Sequence, residues 1–206
     1  MINFVLMPMN FHQVEEIVRL AQRLGVDQVN FKQCDVVRGE QGKGFGLFAI
    51  EKTKEIRRLE KALTKAHRLA KKLNIRTTAF PFVPEEQPVC DQDPRNSLFI
   101  LHNGSVAPCI SLALGGQTTF LGQDVVMPTV HYGRLPEKDL RELWETDVCR
   151  FYRERFERRV RAYDEVIVGS SLGSSWPKLQ EIYHSARDAM PEAAEGCSIC
   201  HYLYNI

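Results

Sequence analysis

The first 80 residues alternate short apolar runs with stretches of helical period, and this alternation constrains the fold more than any other feature of the sequence. Apolar runs of strand length occur at residues 2–7, 26–31 and 75–80. Between them, apolar side chains recur at spacings of three and four, first from Phe11 to Leu24 and then from Ile56 to Leu73. This order of strand, helix, strand, helix and strand predicts parallel strands joined by right-handed crossovers.

Three parallel strands make an incomplete sheet. Parallel sheets normally have helices on both faces and carry more strands, and the first predicted strand already starts at residue 2. We therefore expect residues 1–86 to be an α/β unit equivalent to the later part of a larger parallel βα barrel or of an open sheet. The missing strands would come from an absent part of the polypeptide or from another chain, such as a second copy in a homo-oligomer.

A glycine-rich segment, RGEQGKGFGLF at residues 38–48, follows the second predicted strand. In α/β folds, loops at this end of a strand often hold ligands, because glycine lets the backbone approach closely. The segment lacks the Gly-Lys-Ser/Thr sequence of a phosphate loop and the spacing of the dinucleotide-binding fingerprint. We interpret it as a surface loop.

The rest of the chain has a different organisation. Residues 81–89 contain three prolines and two glutamates and are interpreted as a linker. Residues 87–206 are predicted to form a small cysteine-rich α+β module. Its clearest element is a β-hairpin with strands at about 97–101 and 105–109, joined by a type I′ turn at Asn103-Gly104.

Helices are expected after the hairpin. Residues 110–131 show no clear period, and a long helical pattern then runs from Pro136 to Tyr163. The segment from Val166 to Trp176 is rich in glycine and serine and predicts irregular structure. A last helix is expected from Pro177 to Met190.

Charge gives little indication of a partner. The 27 basic and 26 acidic residues leave a net charge of +1, so no overall field directs the chain towards nucleic acid or an anionic membrane. Six arginines between residues 150 and 161 make one predicted helix locally basic. We interpret them as a face that is solvated or packed on an acidic partner, rather than as a nucleic-acid contact. No apolar run is long enough to span a bilayer and the N-terminus lacks the features of a signal peptide, so the expected location is cytoplasmic.

The six cysteines are the strongest chemical signal. In a reducing compartment they favour free thiols or metal ligands over disulfides. Cys197 and Cys200 form a C-x2-C pair, a spacing that lets two thiolates reach one metal centre. Together with Cys90 and Cys109 they supply four thiolates, which suits either a tetrahedral zinc ion or a 4Fe–4S cluster.

The other candidates near these cysteines are weaker. His201, beside Cys200, is an alternative ligand and would suit a zinc site of three cysteines and one histidine. Cys34 and Cys149 have no partner at ligand spacing, so we interpret both as small apolar side chains in the core.

The cysteine pattern resembles a known family. From Cys90 it runs Cys-x13-Gly-x4-Cys, with Gly104 as the glycine, and the C-x2-C pair follows at a distance. With the hairpin sequence LFILHNGSVAPC and the segment GRLPEKDLRELW at 133–144, it is similar to the SPASM domain, the C-terminal module of many radical S-adenosylmethionine (radical SAM) enzymes. Residues 1–80, including MPMN and the LGV that ends the first predicted helix, resemble the second half of the barrel of those enzymes.

The resemblance implies a cofactor. It implies that Cys90, Cys109, Cys197 and Cys200 bind one auxiliary 4Fe–4S cluster, as in the shortened twitch form of the domain. The cluster would serve electron transfer during modification of a peptide or protein substrate. The Cys-x3-Cys-x2-Cys motif that holds the S-adenosylmethionine-cleaving cluster is absent from this sequence, so S-adenosylmethionine is expected only together with the missing half of the barrel.

Two functions remain open from the sequence. The chain is either the C-terminal portion of a radical SAM maturase or a non-catalytic binding module stapled by zinc or by an iron–sulfur cluster. Spacing alone does not separate iron from zinc, since both accept four thiolates. Whether the chain is itself an enzyme is left open.

Overall fold

The computed structural model describes residues 1–34, 44–47, 54–79, 82–170 and 175–206. The chain divides into two compact units. The first consists of Met1–Glu85, Thr118–Val125 and Asn205–Ile206, and the second of Glu86–Gln117 and Val126–Tyr204. The glycine-rich segment at 38–48, interpreted above as a surface loop, lies outside the described residues except for 44–47.

A three-stranded parallel sheet is the basis of the first unit. Its order is β1 (Ile2–Leu6), β2 (Gln28–Gln33) and β3 (Arg76–Ala79). A 3-10 turn at Phe11–Gln13 and helix α1 (Val14–Arg23) lie between β1 and β2, and α2 (Lys54–Lys72) lies between β2 and β3. The predicted order of strands and helices, and the parallel pairing, are confirmed.

The two helices cover one face of this sheet. The buried side chains of α1 and α2 repeat at spacings of three and four, which is why these segments form helices with one apolar stripe. They pack in one core with alternate strand residues such as Leu6, Val29 and Phe31. The buried helix residues are Val14, Val18, Ala21, Ile56, Leu59, Leu63, Ala66 and Ala70.

The opposite face of the sheet carries a ladder of polar side chains, one from each strand. In the register of the sheet Asn3 is the partner of Asn30, and Asn30 is the partner of Thr78. Thr78 Oγ1 donates a hydrogen bond to Asn30 Oδ1 at 2.8 Å, and Asn30 Nδ2 donates to Asn3 Oδ1 at 3.0 Å. The face that α1 and α2 leave uncovered is therefore polar and hydrogen-bonded within itself.

The second unit contains the predicted hairpin. Strands β4 (Phe99–Ile100) and β5 (Ser105–Ala107) pair antiparallel, and β8 (Gly133–Arg134) pairs with the other edge of β5. Strand β5 ends two residues before Cys109, so the small sheet fixes the position of that cysteine.

The turn of the hairpin differs from the prediction. Ile100 pairs with Val106, so the loop holds the three residues from 102 to 104 instead of two. Of these, Gly104 alone has a positive φ, at +84°. A type I′ turn at Asn103-Gly104 requires positive φ at both residues, and the backbone here uses the three-residue loop with glycine in the left-handed position.

Residues 110–131, which show no clear period in the sequence, contain regular structure. Helix α3 (Ile110–Leu114) begins directly after Cys109. A two-stranded sheet of β6 (Gly116–Phe120) and β7 (Gln123–Met127) follows.

The long helical pattern is divided into two helices, α4 (Leu140–Trp144) and α5 (Asp147–Gly169). The prediction of one helix from 136 to 163 is therefore wrong in two respects. Thr146 starts a new helix, because its Oγ1 accepts a hydrogen bond from the Cys149 backbone N–H at 3.4 Å. At the other end α5 continues into the segment that was expected to be irregular.

Helix α4 has a complete capping box. The Asp139 carboxylate accepts from the Glu142 backbone N–H at 2.8 Å, and the Glu142 carboxylate accepts from the Asp139 N–H at 2.8 Å. The last helix, α6 (Trp176–Asp188), agrees with its prediction to within two residues and packs against α5. Within the described part of the chain, no helix combines the length and apolar character needed to cross a membrane.

Candidate metal centre

Four cysteines from three separate parts of the second unit line one enclosed cavity. Cys90 lies before the hairpin, Cys109 is the residue that precedes α3, and Cys197 and Cys200 lie in the turns after α6. The apolar side chains of Leu112, Met127 and Leu203 are also in its wall. The structure thus brings together the four cysteines that the sequence singled out, and none of them forms a disulfide.

Backbone N–H groups are directed at three of the four sulfurs. That of Gln92 points to Cys90, and those of Ser111 and Leu112, in the first turn of α3, point to Cys109. The N–H of Tyr202 points to Cys200, as does the Ser111 hydroxyl. Donors of this kind stabilise sulfur in its thiolate form.

Burial raises the pKa of all four thiols. For Cys90 and Cys109 the backbone N–H groups oppose the effect of burial. Burial and the neighbouring cysteines raise the pKa of Cys200 to about 11. Burial raises the pKa of Cys197 further, with smaller contributions from the other three cysteines, while the positive charge of Arg159 lowers it. Without a metal the thiols are therefore protonated at neutral pH, and metal binding releases their protons.

The donor set fits an iron–sulfur cluster in number and in chemistry, since four thiolates are the usual ligands of a 4Fe–4S cube. The volume of the cavity is small, about 20 Å³, which is room for about one water molecule. Across the described residues, no group of three His, Cys, Asp or Glu side chains is arranged to hold a metal ion.

The remaining sulfur and imidazole candidates lie elsewhere. Cys149 is fully buried in the core, with its thiol facing the hydroxyl of Tyr132, and does not line the cavity. Cys34 follows β2 in the first unit. His201 is buried in a short 3-10 helix but is not part of the cavity wall.

Sequence reasoning missed the importance of Arg159. We interpret the arginines of α5 as a face that is solvated or packed on an acidic partner, but the Arg159 side chain is 1 % exposed and is the largest fully buried side chain among the described residues. Arg153 is also not simply solvated, because its guanidinium lies 4.4 Å from the centre of the Trp144 ring. The available signal was the helical spacing, since Arg159 falls on the same stripe of α5 as the buried Tyr152 and Phe156.

The turn after Cys90 is held by an ion pair. Asp93 accepts from Arg95 through both carboxylate oxygens, at 2.7 Å and 2.8 Å. These hydrogen bonds lower the pKa of the Asp93 carboxyl. The Asp93 N–H in turn donates to the Cys90 carbonyl at 3.0 Å, so the pair fixes the backbone next to the first cysteine.

A comparison with protein families agrees with this geometry. Residues 90–166 match the family model of the SPASM domain, an iron–sulfur cluster-binding domain that is typical of the C-terminal region of radical SAM enzymes. The match includes Cys90 and Cys109 and ends before Cys197. No curated protein matches the chain.

Proposed function

We propose that the SPASM iron–sulfur domain of this chain binds one auxiliary 4Fe–4S cluster through Cys90, Cys109, Cys197 and Cys200. One observation carries the proposal. Cys197 and Cys200 lie outside the matched residues 90–166, yet their side chains line the same cavity as Cys90 and Cys109. This shared cavity supports a ligand set that includes Cys197 and Cys200.

The side chains and backbone groups that line the cavity have the chemistry that a 4Fe–4S cluster requires. Each thiolate of a 4Fe–4S cube binds a different iron, so the ligands surround a volume, as side chains in a cavity wall do. The apolar side chains of Leu112, Met127 and Leu203 form part of the wall around the sulfurs and limit the access of water to them. Backbone N–H groups directed at the sulfurs stabilise their negative charge, which an apolar wall alone does not.

The cluster, when bound, supplies one-electron transfer. With four cysteine ligands no iron would have an open coordination position, so the residues of this chain would hold and insulate the cluster and would not offer it as a binding site for substrate. This favours a role in electron transfer over direct ligation of a substrate.

The first unit supports a wider proposal, that the chain is the C-terminal portion of a radical SAM maturase acting on a peptide or protein. Its parallel strands with helices on one face have the order of part of a βα barrel, and the uncovered face is polar. The missing half, with the Cys-x3-Cys-x2-Cys motif, would be needed to bind S-adenosylmethionine. We expect cleavage of S-adenosylmethionine only when a chain with that motif is added, and cleavage by this chain alone would contradict the proposal.

The experiment that tests the cluster is anaerobic reconstitution of the full chain with iron and sulfide, followed by metal analysis and electron paramagnetic resonance (EPR). We expect about four irons per chain and a reducible signal. Replacing any one of Cys90, Cys109, Cys197 and Cys200 by serine should lower the iron content.

The matched control is Cys34→Ser, which changes a cysteine of the other unit and should leave the iron content unchanged. About one zinc and no iron per chain would contradict the cluster and support the alternative, a zinc staple in a non-catalytic module. If all four serine variants bind as much iron as the unmodified chain, the ligand assignment is contradicted.

A further inference from the structure

The buried guanidinium of Arg159 connects the two chain segments that lead to the cysteines. Nε donates to the Pro88 carbonyl at 3.2 Å, and Nη2 donates to the Gln87 carbonyl at 3.0 Å and to Glu86 Oε1 at 2.7 Å. Nη1 donates to the Pro191 carbonyl. Every nitrogen of the guanidinium is therefore used.

These acceptors belong to two segments that are distant in sequence. Residues 86–88 lead directly to Cys90, and residues 190–191 lead to the turn with Cys197 and Cys200. Because a guanidinium is planar and its donors are fixed in direction, a single side chain sets the spacing between the two segments.

The charge of Arg159 is also unusual. Burying a cation is costly unless it is paired, and the carboxylate that pairs with it belongs to Glu86, whose side chain is 33 % exposed. The Glu86 carboxylate reaches solvent whereas the guanidinium does not, so water screens the negative charge more than the positive one and the pairing balances the buried cation only in part.

We propose that Arg159 is a positioning residue of the metal centre, which fixes the Cys90 segment against the Cys197 segment and makes the cluster easier to reduce. This inference rests on the proposed function. Reduction by dithionite adds one electron to a cluster that is already negative with four thiolates, and a buried cation nearby stabilises the more negative state.

Two variants of the full chain separate position from charge. Arg159→Lys keeps the charge but loses the planar fork, so it should lower the iron content. Glu86→Gln keeps an acceptor for Nη2 but removes the negative charge, so it should retain the iron and raise the midpoint potential of the cluster. The readouts are iron per chain, far-ultraviolet circular dichroism, and a potential titration followed by EPR.

Arg158→Gln is the matched control. Arg158 is the exposed neighbour on α5, and removal of its charge should change neither iron content nor potential, because water screens it. If Arg159→Lys fails to fold, the potential of Glu86→Gln decides the question.

The outcomes distinguish the two proposals. If the unmodified chain and Arg158→Gln bind no iron, the proposed function fails. If they bind iron and both Arg159→Lys and Glu86→Gln behave like Arg158→Gln, the role of Arg159 is overturned.

Discussion

Gly196 stands directly before Cys197, and we predict that Gly196→Ala destabilises the second unit strongly. Its φ is +80°, a left-handed conformation that residues with a side chain avoid. An added Cβ would lie 2.7 Å from Leu112 Cδ2 and 2.7 Å from Pro128 Cγ. Leu112 can rotate away, but the ring of Pro128 cannot.

Two terms make up the expected loss. The left-handed conformation costs about 1–2 kcal/mol for an L-residue. Overpacking of a closed site costs about 1–3 kcal/mol. The free energy of unfolding should therefore fall by roughly 2–5 kcal/mol.

Urea unfolding followed by tryptophan fluorescence measures the free energy of unfolding of the second unit. Trp144 and Trp176 are the two tryptophans of the chain, and both belong to the second unit. The control is Gly116→Ala in the same unit, where φ is +88° and a Cβ would meet nothing within 4 Å. It should lose only the backbone term, and the reasoning is refuted if Gly196→Ala costs no more than Gly116→Ala.

Further predictions concern the core, a cap, a histidine and the metal. Phe156→Ala, at a fully buried position of α5, should cost about 3–5 kcal/mol in the same urea assay, and a loss below about 1 kcal/mol would contradict its place in the core. Asp139→Ala removes the capping box of α4 and should cost about 1 kcal/mol; an unchanged urea midpoint would count against the cap. Burial lowers the pKa of His67 in the folded chain, so the unfolded chain takes up a proton first as the pH falls. The neutral histidine therefore stabilises the fold above the unfolded pKa of about 6.5, and this stabilisation is lost as the pH falls below it. Protection of α2 amides from hydrogen exchange should decline over that range, and the decline should be smaller in His67→Asn. Removing the metal with a chelator should lower protection throughout the second unit and leave α1 and α2 unchanged, whereas equal loss in both would contradict a site confined to the second unit.

The first unit could be predicted from the sequence because its pattern is local. Apolar residues at spacings of three and four define α1 and α2, and apolar runs of strand length lie before, between and after them. Only one order of strands and helices is compatible with this pattern. The four cysteines could be selected for a similar reason, since C-x2-C and the hairpin cysteines are visible as spacing alone.

Other features depend on contacts that spacing does not contain. The break between α4 and α5 depends on the Thr146 hydroxyl, which donates to the Leu143 carbonyl of α4 and accepts from the Cys149 N–H of α5. A helical period that runs across the break does not reveal these two hydrogen bonds. The burial of Arg159 depends on carbonyl groups of Pro88 and Pro191, which only the folded chain brings to it. No local pattern contains that information.

The polar ladder across the first sheet has a consequence for folding specificity. Strand β3 has no buried residue, so hydrophobic burial does little to select its alignment with β2, and a slip by one residue would turn its side chains to the opposite face. The hydrogen bond from Thr78 to Asn30 exists in one alignment only. The main effect of the ladder is therefore to exclude competing alignments of β3, and its contribution to the free energy of pairing is smaller. A short, exposed strand thus still has one native position.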